Sequence, residues 1–279
     1  MKTFFIYPNW EKNSALQILP SVFRILRQNT ATRLLLPDKM RPFYSTMEAE
    51  FVPEEKAVSL ANLAVVLGGD GTMLRLARMA AAQQLPMLGI NMGHVGFMTE
   101  LEPNELEQLQ KLSTGAYTID TRMMLHIQIM RDGNRLYEDD ALNDVVVGRG
   151  EAFHMMRAQI LADNEAVTYV NGDGIIVCTP TGSTAYSLSA GGPIIEPGTD
   201  NLAVIPICAH ALAAKSFVFA SSRRITLLTK GDVLLSVDGR PGFSVHSGDR
   251  IEVTRSPLRA RLVRLKGNSF YTILHQKLS

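Results

Sequence analysis

The sequence is poor in the features that would commit a chain to the secretory route, a membrane or a polyanion. It holds only 2 cysteines, Cys178 and Cys208, too few for a disulfide framework, so a reducing compartment, ordinarily the cytoplasm, is expected. Both sit in apolar runs and read as core thiols. Neither C-x-x-C nor H-E-x-x-H occurs, so no protein zinc site is expected. No apolar stretch approaches the roughly 18 residues that span a bilayer. Residues 1–7 are briefly apolar, but Pro8, Asn9, Glu11 and Lys12 end the run too early for a signal peptide and leave a first strand. Neither sign of charge is in excess, since 28 Lys and Arg face 27 Asp and Glu for a formal net charge of +1. No global field exists to draw in nucleic acid or an anionic membrane, so a polyanion must be held by a local site. A Gly-Lys dipeptide, which a P-loop needs, is absent, as is G-x-G-x-x-G, which excludes a standard dinucleotide dehydrogenase.

What is present describes a globular protein. Hydrophobic residues make up 46% and charged residues 20%, with 21 Gly and 13 Pro spread along the chain, which excludes disordered and collagen-like classes. A length of 279 residues fits two domains. Up to about residue 118, short apolar runs alternate with helix-period segments, the pattern of βα units around a mostly parallel sheet. Strands are expected at 2–7, 33–36, 63–67 and 87–90, and helices at 72–82 and 102–112, the latter with Pro103 in its first turn and Gly115 beyond its end. Pro20 interrupts the helical segment at 12–28. From 119 to 262 the period becomes two, with strands at 125–129, 144–147, 155–161, 167–170, 175–178, 216–220, 225–228, 233–237 and 251–254, and a tight turn at Asp132-Gly133. This second domain is expected to be β-rich, antiparallel and sandwich-like.

Four motifs carry chemistry. Gly68-Gly69-Asp70-Gly71-Thr72 follows the apolar strand at 63–67 and precedes a helix. Glycines let backbone N–H groups approach a ligand, and the helix start adds a positive dipole end, so phosphate belongs there unless the segment is only a tight turn. An acid in such a loop repels phosphate unless it binds the ligand's cation or accepts a proton from an attacking hydroxyl, which singles out Asp70. The second motif, Gly89 to Phe97, follows the next strand. Loops at strand ends of one open sheet share a side, where such sheets bind ligands. His94, between Gly93 and Gly96, reads as a structural imidazole. The third is a run from Asp173 through Thr179, Pro180, Thr181, Gly182, Ser183, Thr184, Ala185 and Tyr186 to Pro193, whose many hydroxyls and little bulk suit a flat polar ligand, the alternative being a Ser/Thr cap around Pro180. The fourth, Asn143-Asp144, reads hydroxyls of a ribose or a base edge, or simply starts a strand. The cations Arg255, Arg259, Arg261, Arg264 and Lys266 read as a solvated strand face.

In this order and separation, these motifs resemble the NAD kinase family, bacterial type. The resemblance rests on Gly68 to Thr72, Asn91-x-Gly93-x-x-Gly96-Phe97, Asn143-Asp144 and Asp173 to Tyr186, and extends weakly to 206–210 and 236–239. It implies an ATP-dependent kinase that phosphorylates the 2′-hydroxyl of the adenosine ribose of NAD, with Mg²⁺, a ligand cleft between the two domains and a homodimer or homotetramer. It also implies that residues 263–279 return to the first domain. By position it makes Asp70 the proton acceptor and surrounds it with the phosphate loop Gly68, Gly69, Gly71 and Thr72. It adds Arg75, Asn143, Asp144, Asp173, Thr184, Ala185, Tyr186, Ser187, Leu188 and Ser189 as further contacts with NAD. Asp144 stands where many members carry Glu, Asn171 where some carry a basic residue, Ala209 where Pro is common and Lys215 where Arg is common. A lipid kinase sharing the GGDGT loop, which would need an apolar tunnel, and a noncatalytic dinucleotide sensor are the alternatives.

Overall fold

A computed structural model describes residues 1–28, 31–45, 48–93, 96–150, 155–210, 215–267 and 270–278. The described chain divides into two compact units, Met1–Thr121 with Ala260–Ser279, and Arg122–Arg259.

The first unit is built on five parallel strands, β1 (Lys2–Pro8), β2 (Thr32–Pro37), β3 (Glu50–Val52), β4 (Leu63–Leu67) and β5 (Met87–Ile90), ordered β5-β4-β1-β2-β3. All five residues of β4 are buried, as an unbroken apolar strand covered on both faces should be. Pro20 resolves the ambiguity at 12–28 by breaking that segment into helices Asn13–Gln17 and Leu19–Arg27. It sits in the first turn of the second, where its missing N–H costs nothing. The expected helix at 102–112 is corrected to a 3₁₀ segment, Pro103–Leu109, followed by one α-turn, Gln110–Thr114. Glu105 leaves helical geometry at φ −113°, and its carboxylate accepts from both the Glu102 N–H and Lys266 Nζ. Gly115 then ends the segment in the left-handed region, φ 77°.

The second unit is a two-sheet antiparallel sandwich. Its strands are β6 (Thr118–Arg131), β7 (Asn134–Ala141), β8 (Asp144–Arg149), β9 (Met156–Ala162), β10 (Glu165–Gly172), β11 (Gly174–Cys178), β12 (Asn201–Ile207), β13 (Phe217–Ala220), β14 (Ile225–Lys230), β15 (Val233–Val237), β16 (Phe243–Val245) and β17 (Arg250–Arg264). One sheet runs β13-β12-β11-β8-β15-β16, and β10-β9-β14-β17 forms part of the other. Alternating residues such as Ile127, Ile129, Val145, Val147, Ile160, Ile175, Val177, Val204 and Leu227 make the shared core. Asp132 and Gly133 both have positive φ, the two-residue turn that suits a hairpin's twist. Asp163 and Asn164 repeat it between β9 and β10. The chain passes from one unit to the other inside β6 and returns inside β17, whose Leu262 pairs in parallel with Met87 of β5.

Two expectations are corrected. Cys178 is buried, but Cys208 is exposed rather than core. β12 ends at Ile207, and Cys208 turns the chain in the left-handed region at φ 47°. The cationic stretch from Arg255 to Lys266 is solvated only in part: Arg255 stays exposed and Arg261 donates to the Gln84 carbonyl at the surface, but ion pairs engage Arg255 and the rest. Arg255 and Arg259 share Asp200, Lys266 pairs with Glu105, and Arg264, only 15% exposed, pairs with Glu100 and Asp120.

Candidate active site

In the first unit the glycine loop emerges from the C-terminal end of β4 and the second loop from that of β5, its neighbour. The helix Asp70–Ala82 starts directly on the loop, with the Thr72 and Met73 N–H groups donating to the Gly69 carbonyl. The glycines divide by purpose. A Cβ on Gly68 would stand 2.2 Å from Thr72 Oγ1, and one on Gly96 would stand 2.3 Å from Asp70 Oδ1. Those two are glycine because the fold leaves no room. A Cβ on Gly69 or Gly71 would meet nothing within 4 Å, and neither residue needs positive φ. Open space in front of bare backbone at a helix start is what an anion requires.

Asp70 is held, not free. Its Oδ2 accepts from the Phe97 N–H at 2.8 Å and its Oδ1 from the Met98 N–H at 3.0 Å, so both oxygens are oriented by the second loop. That loop is tied in turn by Asn91, whose Nδ2 donates to Glu102 at 3.0 Å and whose Oδ1 accepts from the Gly93 N–H. Arg75 lies over the Trp10 ring and 3.5 Å from Glu11, beside the turn after β1. His94 lies outside the described residues.

In the second unit Asp238 organises the other set. Its carboxylate accepts from the N–H groups of Leu142, Asn143 and Asp144 at 2.8, 2.8 and 3.1 Å. Burial raises its pKa and those three donors oppose the rise. Asp144 has no such compensation, and burial first, then the Asp238 charge, push it up to about 7. Asn143 is buried and its Oδ1 has no hydrogen-bond partner among the described residues. Cys178 faces Asp144 across the strand pair and is pushed up to about 12, mainly by burial.

The hydroxyl-rich run is a scaffold for much of its length. Thr179 Oγ1 donates to the Leu142 carbonyl at 2.6 Å and accepts from the Gly182 N–H. Ser183 Oγ bonds Pro180 and Ile195 backbone, and Thr184 Oγ1 donates to the Thr181 carbonyl. A Cβ on Gly182 would stand 2.1 Å from the Asn143 carbonyl oxygen, so the run and Asn143-Asp144 are packed backbone to backbone. The expectation that these hydroxyls are open to a ligand is therefore corrected for Thr179 and Ser183. Tyr186 is 47% exposed, Ser189 is exposed, and Ala185 and Leu188 are half-buried. Ser187 is buried beside the Cys178 thiol, whose pKa burial raises and the Ser187 hydroxyl lowers by less. Asp173 stands apart. It precedes the five-residue β11 while Thr179 follows it, which separates the two by about 20 Å at roughly 3.3 Å per residue, and it pairs with Arg149.

The structure thus gathers Gly68 to Thr72 around the second loop, and Asn143 and Asp144 around Asp238 and Thr179 to Gly182. Asp238 lies in the 236–239 stretch to which the resemblance extends only weakly, and no role is expected of it, although the Asp-Gly dipeptide after a strand is a turn signal. Among the described residues no group of three or more His, Cys, Asp or Glu side chains is arranged to hold a metal ion.

Residues 4–117 match the family described as ATP-NAD kinase N-terminal domain, and residues 142–265 the ATP-NAD kinase C-terminal domain. The chain is similar to the NAD kinase of Symbiobacterium thermophilum, 43% identical over 231 residues, 81% of this chain and 82% of that protein. It is 36% identical over 283 aligned positions to the NAD kinase of Natranaerobius thermophilus, covering 100% of this chain and 98% of that one. In fold it is similar to yeast NADH kinase complexed with NADH, with a TM-score of 0.92 and 26% identity, over 100% of this chain and 87% of that one.

Proposed function

The chain belongs to the NAD kinase family, and from that premise we infer that it transfers the γ-phosphate of ATP to the 2′-hydroxyl of the adenosine ribose of NAD, making NADP. The observation that carries the chemistry is the Asp70 carboxylate, aimed by two backbone N–H groups at the head of a helix whose neighbouring glycines face open space. A secondary ribose hydroxyl is a poor nucleophile and must be positioned, deprotonated and met by a neutralised phosphoryl group. Asp70 takes the proton, since each of its oxygens keeps a lone pair beyond the one accepting a backbone N–H. The loop amides and the helix start receive the triphosphate.

A single carboxylate at the glycine loop suits a divalent ion carried on ATP by phosphate oxygens and water rather than one caged by the protein. Mg²⁺ bound in this way supplies positive charge to the transferring group. Asn143 and Asp144 hold the adenosine end of NAD, in positions that the Asp238 carboxylate fixes through their backbone N–H groups. Arg75, Asp173 and the stretch Thr184 to Ser189 complete the contacts with NAD. A homodimer or homotetramer is supported by Tyr169, 66% exposed on β10, which pairs only with β9 among the described strands. No helix among the described residues is long and apolar enough to cross a membrane, and free cysteines suit the cytoplasm.

The test is incubation with Mg-ATP and either NAD or NADH, with chromatography for the 2′-phosphorylated product. Release of ADP without that product would leave only an ATPase. If Asp70 instead binds the metal, Asp70→Asn will shift the divalent-ion dependence of turnover.

A further inference from the structure

The loop that orients Asp70 is itself gripped by the returning C-terminal segment. The Phe97 N–H holds Asp70 Oδ2 at 2.8 Å, and the ring of the same residue packs on Phe270, centroids 6.0 Å apart. Lys277 Nζ stands 4.2 Å from the centre of the Phe97 ring. Phe270 and Lys277 both belong to the last helix, Phe270–Leu278. Three residues beyond Phe97, the buried Glu100 carboxylate takes the Leu265 and Lys266 N–H groups at 2.8 and 2.6 Å on one oxygen, and the Arg264 guanidinium at 3.2 Å on the other. The loop 96–100 therefore has two faces. Backbone donors at Phe97 and Met98 point at the catalytic carboxylate, while the Phe97 ring and the Glu100 carboxylate are tied to residues 264–277.

We propose that Phe97 is a positioning residue and that the C-terminal helix, through Phe270 and Lys277, sets the orientation of the Asp70 carboxylate. The inference rests on Asp70 being the proton acceptor. A ring clamped between an aromatic neighbour and an ammonium fixes the backbone of its own residue. A displaced Phe97 amide would swing Asp70 Oδ2 off the line to the hydroxyl it deprotonates. Alignment errors of about 1 Å cost as much as 100-fold in rate, so a clamp remote from the substrate can control turnover. The clamp works on orientation rather than on affinity, and its loss should appear in kcat and not in KM.

The experiment is a double-mutant cycle on the full-length enzyme with Phe270→Ala, Lys277→Ala, Lys277→Arg and Asp70→Asn, reading kcat, the KM values for NAD and ATP, and Tm. Phe270→Ala is expected to lower kcat about 10-fold with both KM values within about twofold. Lys277→Ala is expected to lower it about threefold, the size of one exposed cation–π contact, and Lys277→Arg to restore it. In the Asp70→Asn background, where no base remains to be aimed, Phe270→Ala should change the residual rate less than about twofold. The proposal is overturned if Phe270→Ala and Lys277→Ala keep wild-type kcat, if the loss is matched by a loss of folded protein, or if the same fold loss persists without Asp70. Full turnover by Asp70→Asn alone would instead remove the proton-acceptor role, and the proposal with it.

Discussion

Two carboxylates, one in each unit, are kept in place by different means. Asp70 lies half-buried at a helix start with both oxygens on backbone N–H groups from one loop. Asp144 is buried at the head of β8, next to a second acid, Asp238, that takes the backbone donors for itself. Hydrogen bonds aim the first, while burial governs the second and brings its titration to neutrality. The same side chain is therefore oriented by backbone donors in one place and left to burial, with a titration near neutrality, in another. The difference lies in who owns the nearby N–H groups.

The largest effect that would test this contrast is at Asp70. Asp70→Asn should lower turnover by roughly 10²- to 10⁴-fold, the usual worth of a general base, while NAD affinity measured by calorimetry stays near wild type. A comparable loss of affinity would move Asp70 from proton transfer to binding. Next comes Asp238→Ala, which leaves three backbone donors without their acceptor and should cost on the order of 3 kcal/mol or more in urea unfolding. An unchanged midpoint would mean that water replaces the carboxylate.

Asp144 should show itself in the pH dependence of stability. The folded chain keeps the Asp144 proton up to about pH 7, whereas an unfolded aspartate loses it near 3.8. Between these values the folded state holds more protons, so the full stability is present below about pH 4 and is lost as pH rises through about 7. Asp144→Asn removes that penalty. It should raise stability above pH 7, read as a higher Tm, by an amount that shrinks toward pH 4, a few kcal/mol at most by roughly 1.4 kcal/mol per pKa unit. A Tm difference that does not change with pH would deny the buried titration. The smallest effect belongs to Gly71, where open space and an ordinary φ leave no structural need for glycine. Gly71→Ala should hold or raise stability by about 0.5 to 1 kcal/mol, as alanine does in a helix, yet raise the KM for ATP. Unchanged ATP kinetics would show that no phosphate approaches that backbone.

Much of this was legible in the chain. β4 could be read from Leu63 to Leu67 because burial on both faces needs an unbroken apolar run, and the loop after it from three glycines before a helical period. The hairpin at Asp132-Gly133 followed from turn chemistry alone. The opposite fate of the two cysteines was not legible, since both follow apolar residues. Only the end of strand pairing at Ile207 exposes Cys208. Nor did the hydroxyl-rich run disclose that Thr179 and Ser183 spend their oxygens on backbone inside the unit.

What the sequence determined by itself is therefore local: strand and helix periods, tight turns, and the residue types that chemistry on a phosphate requires. Those properties depend on neighbours a few positions away and survive in any context that buries the apolar face. The tertiary structure alone decided which carboxylate is aimed and which is buried, because the deciding contacts join distant segments: Phe97 to Asp70, Asp238 to Asn143, and Lys277 to Phe97. A hydrogen bond between such partners leaves no periodicity in the chain, and it exists only once the packed elements have brought donor and acceptor within about 3 Å.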